Sequence, residues 1–147
     1  MSEKTAEEIQ GYEYDWIACD EYGRVAMFST AGGGYAPRAF LADTDKYDEA
    51  LEALMERDVF TSARQAPTVA EGLANTWKEL AERGVFSYDS DPLGGPYRLV
   101  GVPEAPVLCS ALDPAVSDVV RRVELGGIEL GKDETITRED IIRSEID

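Results

Sequence analysis

Tyr12-Glu13-Tyr14-Asp15-Trp16-Ile17-Ala18-Cys19-Asp20-Glu21-Tyr22-Gly23-Arg24-Val25-Ala26-Met27-Phe28-Ser29-Thr30-Ala31-Gly32-Gly33-Gly34-Tyr35-Ala36-Pro37-Arg38 is the stretch around which the rest of the chain is organised. Two apolar runs, Tyr14 to Cys19 and Arg24 to Thr30, flank the turn-forming Asp20-Glu21-Tyr22-Gly23. This pattern predicts a β-hairpin. Alternation along its strands points Trp16 and Phe28 the same way, into a core. The second strand runs out into Gly32-Gly33-Gly34, read as a flexible turn whose residues take dihedrals that others avoid.

Working outward, residues 1–11 are polar and charged, and are expected as a flexible N-terminal tail or a loose helical turn. After Pro37 comes a short extended connector. Tyr47, Leu51, Leu54 and Met55 then recur at helical spacing, predicting an amphipathic helix from about Asp45 to Arg57. Thr68-Val69-Ala70-Glu71 has the pattern of a capping box. It opens a helix to Arg83 with Val69, Leu73, Trp77 and Leu80 on one stripe, and Gly84 ends it. Val85 to Asp89 and Tyr97 to Val102 flank a Pro- and Gly-rich turn and read as a second hairpin. Val107 to Cys109 is expected as a short strand. Asp113-Pro114 starts a helix that its β-branched residues keep short, Leu125 to Leu130 returns to the sheet, and Thr137 caps a last helical turn. Hairpin-joined strands with helices between them predict an α+β fold: one domain over 12–147, an antiparallel sheet with the helices mainly on one face.

At 147 residues the chain suits one domain, and its net charge of −16 bounds its partners. Nucleic acid and anionic membrane surfaces are disfavoured, because binding to them draws on Lys and Arg. A basic partner is favoured and would be steered electrostatically; simple solubility is the plainer reason for such charge. No apolar run is long enough to span a bilayer, and the start lacks the pattern of a secretory signal. Cys19 and Cys109 are read as free thiols of a reducing cytoplasm, with a disulfide between them as the alternative.

There is no histidine. That removes His-activated nucleophiles, the commonest general base and most transition-metal sites. No catalytic, metal or cofactor residues are assigned, and the expectation is a binder rather than an enzyme. The three glycines fail as a phosphate loop: no Lys-Ser or Lys-Thr follows, and Pro37 stands where the glycine pattern of a dinucleotide site needs its last member. Trp77 is expected in the core. Tyr22, Tyr35 and Tyr88 lie in or beside turns, next to carboxylates, the composition of an anchor for an Arg- or Lys-rich surface.

The run from Asp15 to Gly34, followed by Pro37, resembles the opening of small acidic bacterial immunity proteins, which are encoded beside polymorphic toxins and protect the producing cell. The resemblance carries no functional residues across. It implies a cytoplasmic protein that covers the active site or substrate channel of one cognate toxin. The alternative is a non-catalytic housekeeping domain that binds a small ligand or another bacterial protein; a carboxylate-based hydrolase comes after both. The residues expected to meet the partner are Asp20, Glu21 and Tyr22 in the first turn and Tyr88, Asp89 and Asp91 at the second, on the premise that both turns border one surface. On that premise Asp89→Ala or Asp91→Ala lowers affinity at least about tenfold without loss of thermal stability. In an alanine scan, Glu139→Ala does neither.

Overall fold

The aromatic side of a two-stranded hairpin is stable only when something lies against it. The computed structural model of the chain, which describes residues 3–65 and 75–145, shows what does. In chain order the elements are α1 (Ala6–Ile9), β1 (Asp15–Asp20), β2 (Val25–Ser29), α2 (Arg38–Ala42), α3 (Thr44–Met55), β3 (Ala63–Gln65), α4 (Asn75–Ala81), β4 (Phe86–Asp89), β5 (Tyr97–Pro103), a 3-10 turn (Cys109–Ala111), α5 (Pro114–Val120), β6 (Glu124–Leu125), β7 (Thr135–Ile136) and α6 (Arg138–Ser144). The fold is α+β.

Both hairpins form as expected: β1 pairs antiparallel with β2 from Cys19↔Val25 to Asp15↔Ser29, and β4 pairs antiparallel with β5. They are joined differently from the all-antiparallel expectation. β2 and β4 run parallel, from Ala26↔Phe86 to Ser29↔Asp89, and β6 adds in parallel to β1. The sheet order is β3-β5-β4-β2-β1-β6, with β7 beside β5. A parallel pair needs a crossover connection, and the segment from α2 to α4 supplies it. The turn at 20–23 precedes β2 and the turn at 90–96 follows β4, so the parallel pairing puts them at opposite ends of the sheet.

Trp16, Phe28, Tyr88 and Tyr97 are all buried to within 1% of full exclusion. Trp16 stacks on Phe28 with centroids 4.2 Å apart, and Phe28 stacks on Tyr88 at 5.1 Å. Tyr97 stands perpendicular to Trp16 and Phe28, at 5.6 and 5.3 Å. The polar tips are satisfied. Trp16 Nε1 donates to the Tyr97 hydroxyl, which donates to the Tyr35 carbonyl; the Tyr88 hydroxyl donates to the Asp133 carbonyl.

On the other face, α3 and α5 pack near β1 and α4 lies over β4 and β5. Helices do gather there, while the aromatic face is covered by the segment around Leu130 to Asp133, where Gly131 lies against the Phe86 ring. Trp77 is only partly buried; Leu80 and Ala81 carry the fully buried stripe of α4. Val69, Leu73 and the Thr68–Glu71 capping pattern lie outside the described residues. The expected strand at Val107 to Cys109 is a single bridge, Leu108 to Arg24, followed by the 3-10 turn. Residues 3–11, expected as a tail, include α1 with a Thr5–Glu8 capping box; Ile9 is buried and the Gly11 N–H donates to the Gly32 carbonyl.

The glycine run is packed. Gly32 alone of the three has a left-handed φ, +96°. A Cβ on Gly33 would collide with the Pro92 carbonyl, with the Asp91 oxygen 2.6 Å away, and one on Gly34 would lie 2.7 Å from the Tyr97 hydroxyl. The glycines let one turn nest into the other.

Urea denaturation tests this ranking. Phe28→Ala should cost about 3–5 kcal/mol as a large-to-small core change, and Gly33→Ala about 1–3 kcal/mol as an overpacking change. Trp77→Ala should cost less than Phe28→Ala; equal costs would contradict the packing described.

Candidate functional site

Asp20 is 1% exposed, and its carboxylate is spent inside the fold. One oxygen accepts from the N–H groups of Tyr22 at 3.0 Å and Arg24 at 2.9 Å, and the other from Leu130 N–H at 3.0 Å. It shapes the hairpin turn and ties it to the C-terminal segment. Beside it Glu21 and Tyr22 are exposed. The Arg24 guanidinium lies 5.7 Å over the Tyr22 ring and pairs with Glu129 at 3.2 Å. Glu21, then Glu129, holds the Tyr22 hydroxyl above its ordinary range.

The other expected contact residues lie at the far end of the sheet, and the reason is the parallel pairing of β2 with β4. An antiparallel pair would have put both turns together. Tyr88 is a correction of another kind: it is a fully buried member of the aromatic stack, so it offers a partner nothing. Burial comes first among the causes that push its hydroxyl up. Asp91 Oδ1 accepts from the N–H groups of Leu93 at 2.8 Å and Gly95 at 3.1 Å, which hold its carboxyl below the ordinary range. It builds its turn, so Asp91→Ala would disturb the fold as well as any contact.

Asp89 has the surroundings of a binding group. It is half-buried and opposite Ser29 across the parallel pair; Asp15 is opposite Ser29 on the other side. The Ser29 hydroxyl donates to Glu13 at 2.7 Å. Glu13, Asp15 and Asp89 therefore lie close enough for their charges to act on one another. Burial, then the charges of Glu13 and Asp15, push Asp89 up to about 6. Burial also raises Asp15. Arg98 is opposite Asp89 on β5 but reaches Asp91, at 4.0 Å. Leu93, 96% exposed, tips the neighbouring turn, and Tyr12, 66% exposed, precedes Glu13. The hairpin register alone placed Asp15 opposite Ser29; nothing local to Asp89 announced that it would join them.

Next to this end is a cleft of about 430 Å³ between α1, the glycine turn, Arg38 and Arg138, with Leu93 on its rim. Arg138 lies 5.3 Å over the Tyr35 ring. The Tyr35 hydroxyl donates to Glu145 at 2.7 Å, and the Arg38 N–H donates to the same carboxylate at 2.6 Å. Burial and then Glu145 push Tyr35 up to about 12. Among the described residues no group of three His, Cys, Asp or Glu side chains is arranged to hold a metal ion. No helix among them is long and apolar enough to cross a membrane. No protein-family model, curated protein or solved structure matches this chain.

The raised Asp89 fixes the sign of a pH effect. Its folded pKa of about 6 lies above its ordinary 3.8, so the unfolded chain ionises first. Above about pH 6 the folded state bears the full cost of the charge, and that cost is relieved as pH falls through 6 towards 4. Asp15 and Asp48 shift in the same direction. Asp89→Asn should raise the melting temperature at about pH 7.5 and flatten its change between about pH 7.5 and 5. An unchanged pH profile would contradict the burial and crowding described for Asp89.

Proposed function

We propose that this chain is an immunity-type protein of the bacterial cytoplasm that binds one basic polypeptide, a toxin, and neutralises it by covering its active site or substrate channel. The reading rests on one observation above the others: Glu13, Asp15 and Asp89 are crowded at the end of the sheet that also carries the exposed Leu93 turn and Tyr12. Burial first, and then repulsion from Glu13 and Asp15, holds Asp89 near pKa 6. A Lys or Arg delivered by a partner relieves that repulsion, and the two apolar side chains supply desolvated anchors beside it. The charge of −16 favours a basic partner and speeds its approach. The contact surface is therefore one end of the sheet, and the Glu21–Tyr22 turn lies outside it.

A second reading is favoured by the cleft. Two guanidinium groups beside an apolar floor suit a small anionic ligand, as in a non-catalytic housekeeping domain. The Arg38 guanidinium is already engaged by Glu145, 3.8 Å from its carboxylate and donating to its backbone carbonyl at 3.0 Å.

The test is co-expression with the product of the adjoining gene, followed by calorimetry at two salt concentrations. Leu93→Ala should weaken binding by about tenfold or more, about 1.4 kcal/mol, with little change in melting temperature. Tyr22→Ala should leave binding unchanged, and association should slow as salt rises. Failure to bind, or a loss confined to Tyr22→Ala, would overturn the proposal.

A further inference from the structure

Cys19 and Cys109 are the only cysteines of the chain, and the fold brings them together. Cys19 stands on β1 opposite Val25. Cys109 opens the 3-10 turn after β5, and its N–H donates to the Gly23 carbonyl at 2.8 Å, while its neighbour Leu108 bridges to Arg24. The crossover after β5 is thus pinned to the first hairpin at Leu108 and at Cys109. The two residues are 1% and 0% exposed, and the bonds of Leu108 and Cys109 to Arg24 and Gly23 set Cys109 against the hairpin end that carries Cys19. The Cys19 thiol also lies 3.8 Å from the Val123 carbonyl.

Apolar packing explains one buried thiol. It does not by itself explain why both thiols of the chain meet, from elements joined by a loop of roughly 90 residues, the kind of span over which a cross-link restricts the unfolded chain most. We propose that Cys19 and Cys109 form an intramolecular disulfide when a low-molecular-weight disulfide such as oxidised glutathione is present, and are returned to thiols by exchange with an excess of a low-molecular-weight thiol such as reduced glutathione. The Cys109 thiolate attacks one sulfur of the oxidant, expelling one glutathione thiolate, which takes up a proton. Cys19, after losing its proton, attacks the Cys109 sulfur and expels the second glutathione. Two protein thiols are oxidised and one small disulfide is reduced to two thiols. Cys109 is the first attacker for two reasons. The neighbouring Cys19 side chain draws its pKa down, while Cys109 and burial push Cys19 up. It also belongs to a short turn whose neighbours Leu108, Ser110 and Ala111 are exposed, so a small opening uncovers it.

The pair lies at the Glu21–Tyr22 end of the sheet, away from Asp89 and Leu93, so the disulfide and the proposed binding surface stand or fall separately. The full chain is incubated with oxidised glutathione, then denatured, treated with a maleimide and weighed by mass spectrometry. The expected product is a monomer two hydrogens lighter that takes no label, with peptides containing Cys19 and Cys109 linked and a melting temperature that rises and falls back on reduction. Cys109→Ser should never give that product. Two labelled thiols after prolonged incubation, a lasting glutathione adduct, or a disulfide-linked dimer would overturn the proposal.

Discussion

Phe28 joins the first hairpin to the second, and its two stacked neighbours set the sheet. One face of its ring meets Trp16 on the adjacent antiparallel strand, and the other meets Tyr88 on the adjacent parallel strand. Side chains alternate along a strand, so a slip of one residue between β2 and β4 would point Phe28 and Tyr88 to opposite faces and expose a large ring. Tyr97 closes the arrangement from β5, its hydroxyl joined to Trp16 and to the backbone of Tyr35. The hydrogen-bonded tips matter because a buried hydroxyl or indole N–H without a partner costs about 1–3 kcal/mol. Hydrophobic area and polar satisfaction therefore favour the same register.

From that register follows the division of the molecule into two unlike ends. At one end Asp20 is consumed by three backbone N–H groups, Arg24 is paired with Glu129, and Cys19 and Cys109 are buried, with the Cys109 N–H bonded to Gly23. This end is internally satisfied. At the other end the same pairing brings Asp15, Ser29 and Asp89 into one row, and the glycine turn nests against Asp91 and Pro92. Here like charges are left close together. A protein that only needed acidity for solubility would gain nothing from half-burying Asp89 beside Glu13 and Asp15, and the burial and repulsion together cost stability. That cost favours the reading of this end as the place where a basic partner docks.

Much of the fold was legible because its signals are local. Alternation around Asp20 to Gly23 marked the first hairpin, Tyr47 and Leu54 marked α3, Gly84 ended α4 with φ at +87°, and Thr137 does cap α6 through its box with Asp140. The joining of the hairpins was not legible, since a parallel contact between β2 and β4 leaves no mark on the residues between them. Tyr88 was misread for the same reason: beside a turn it looked like a surface aromatic, and only its pairing with Phe28 buries it. The acidic end needed both pairings of Ser29, one readable from the hairpin and one not. Asp20 and Asp91 looked like free carboxylates because backbone capture by a side chain depends on turn geometry that composition leaves open.

The parallel register between β2 and β4 underlies the core, the two ends and the proposed surface, and nuclear Overhauser spectroscopy of the labelled chain tests it directly. Backbone cross-peaks should run in step, linking Ala26 with Phe86 and Ser29 with Asp89. Cross-peaks linking Ala26 with Asp89 and Ser29 with Phe86 would mean an antiparallel pair and would contradict the account.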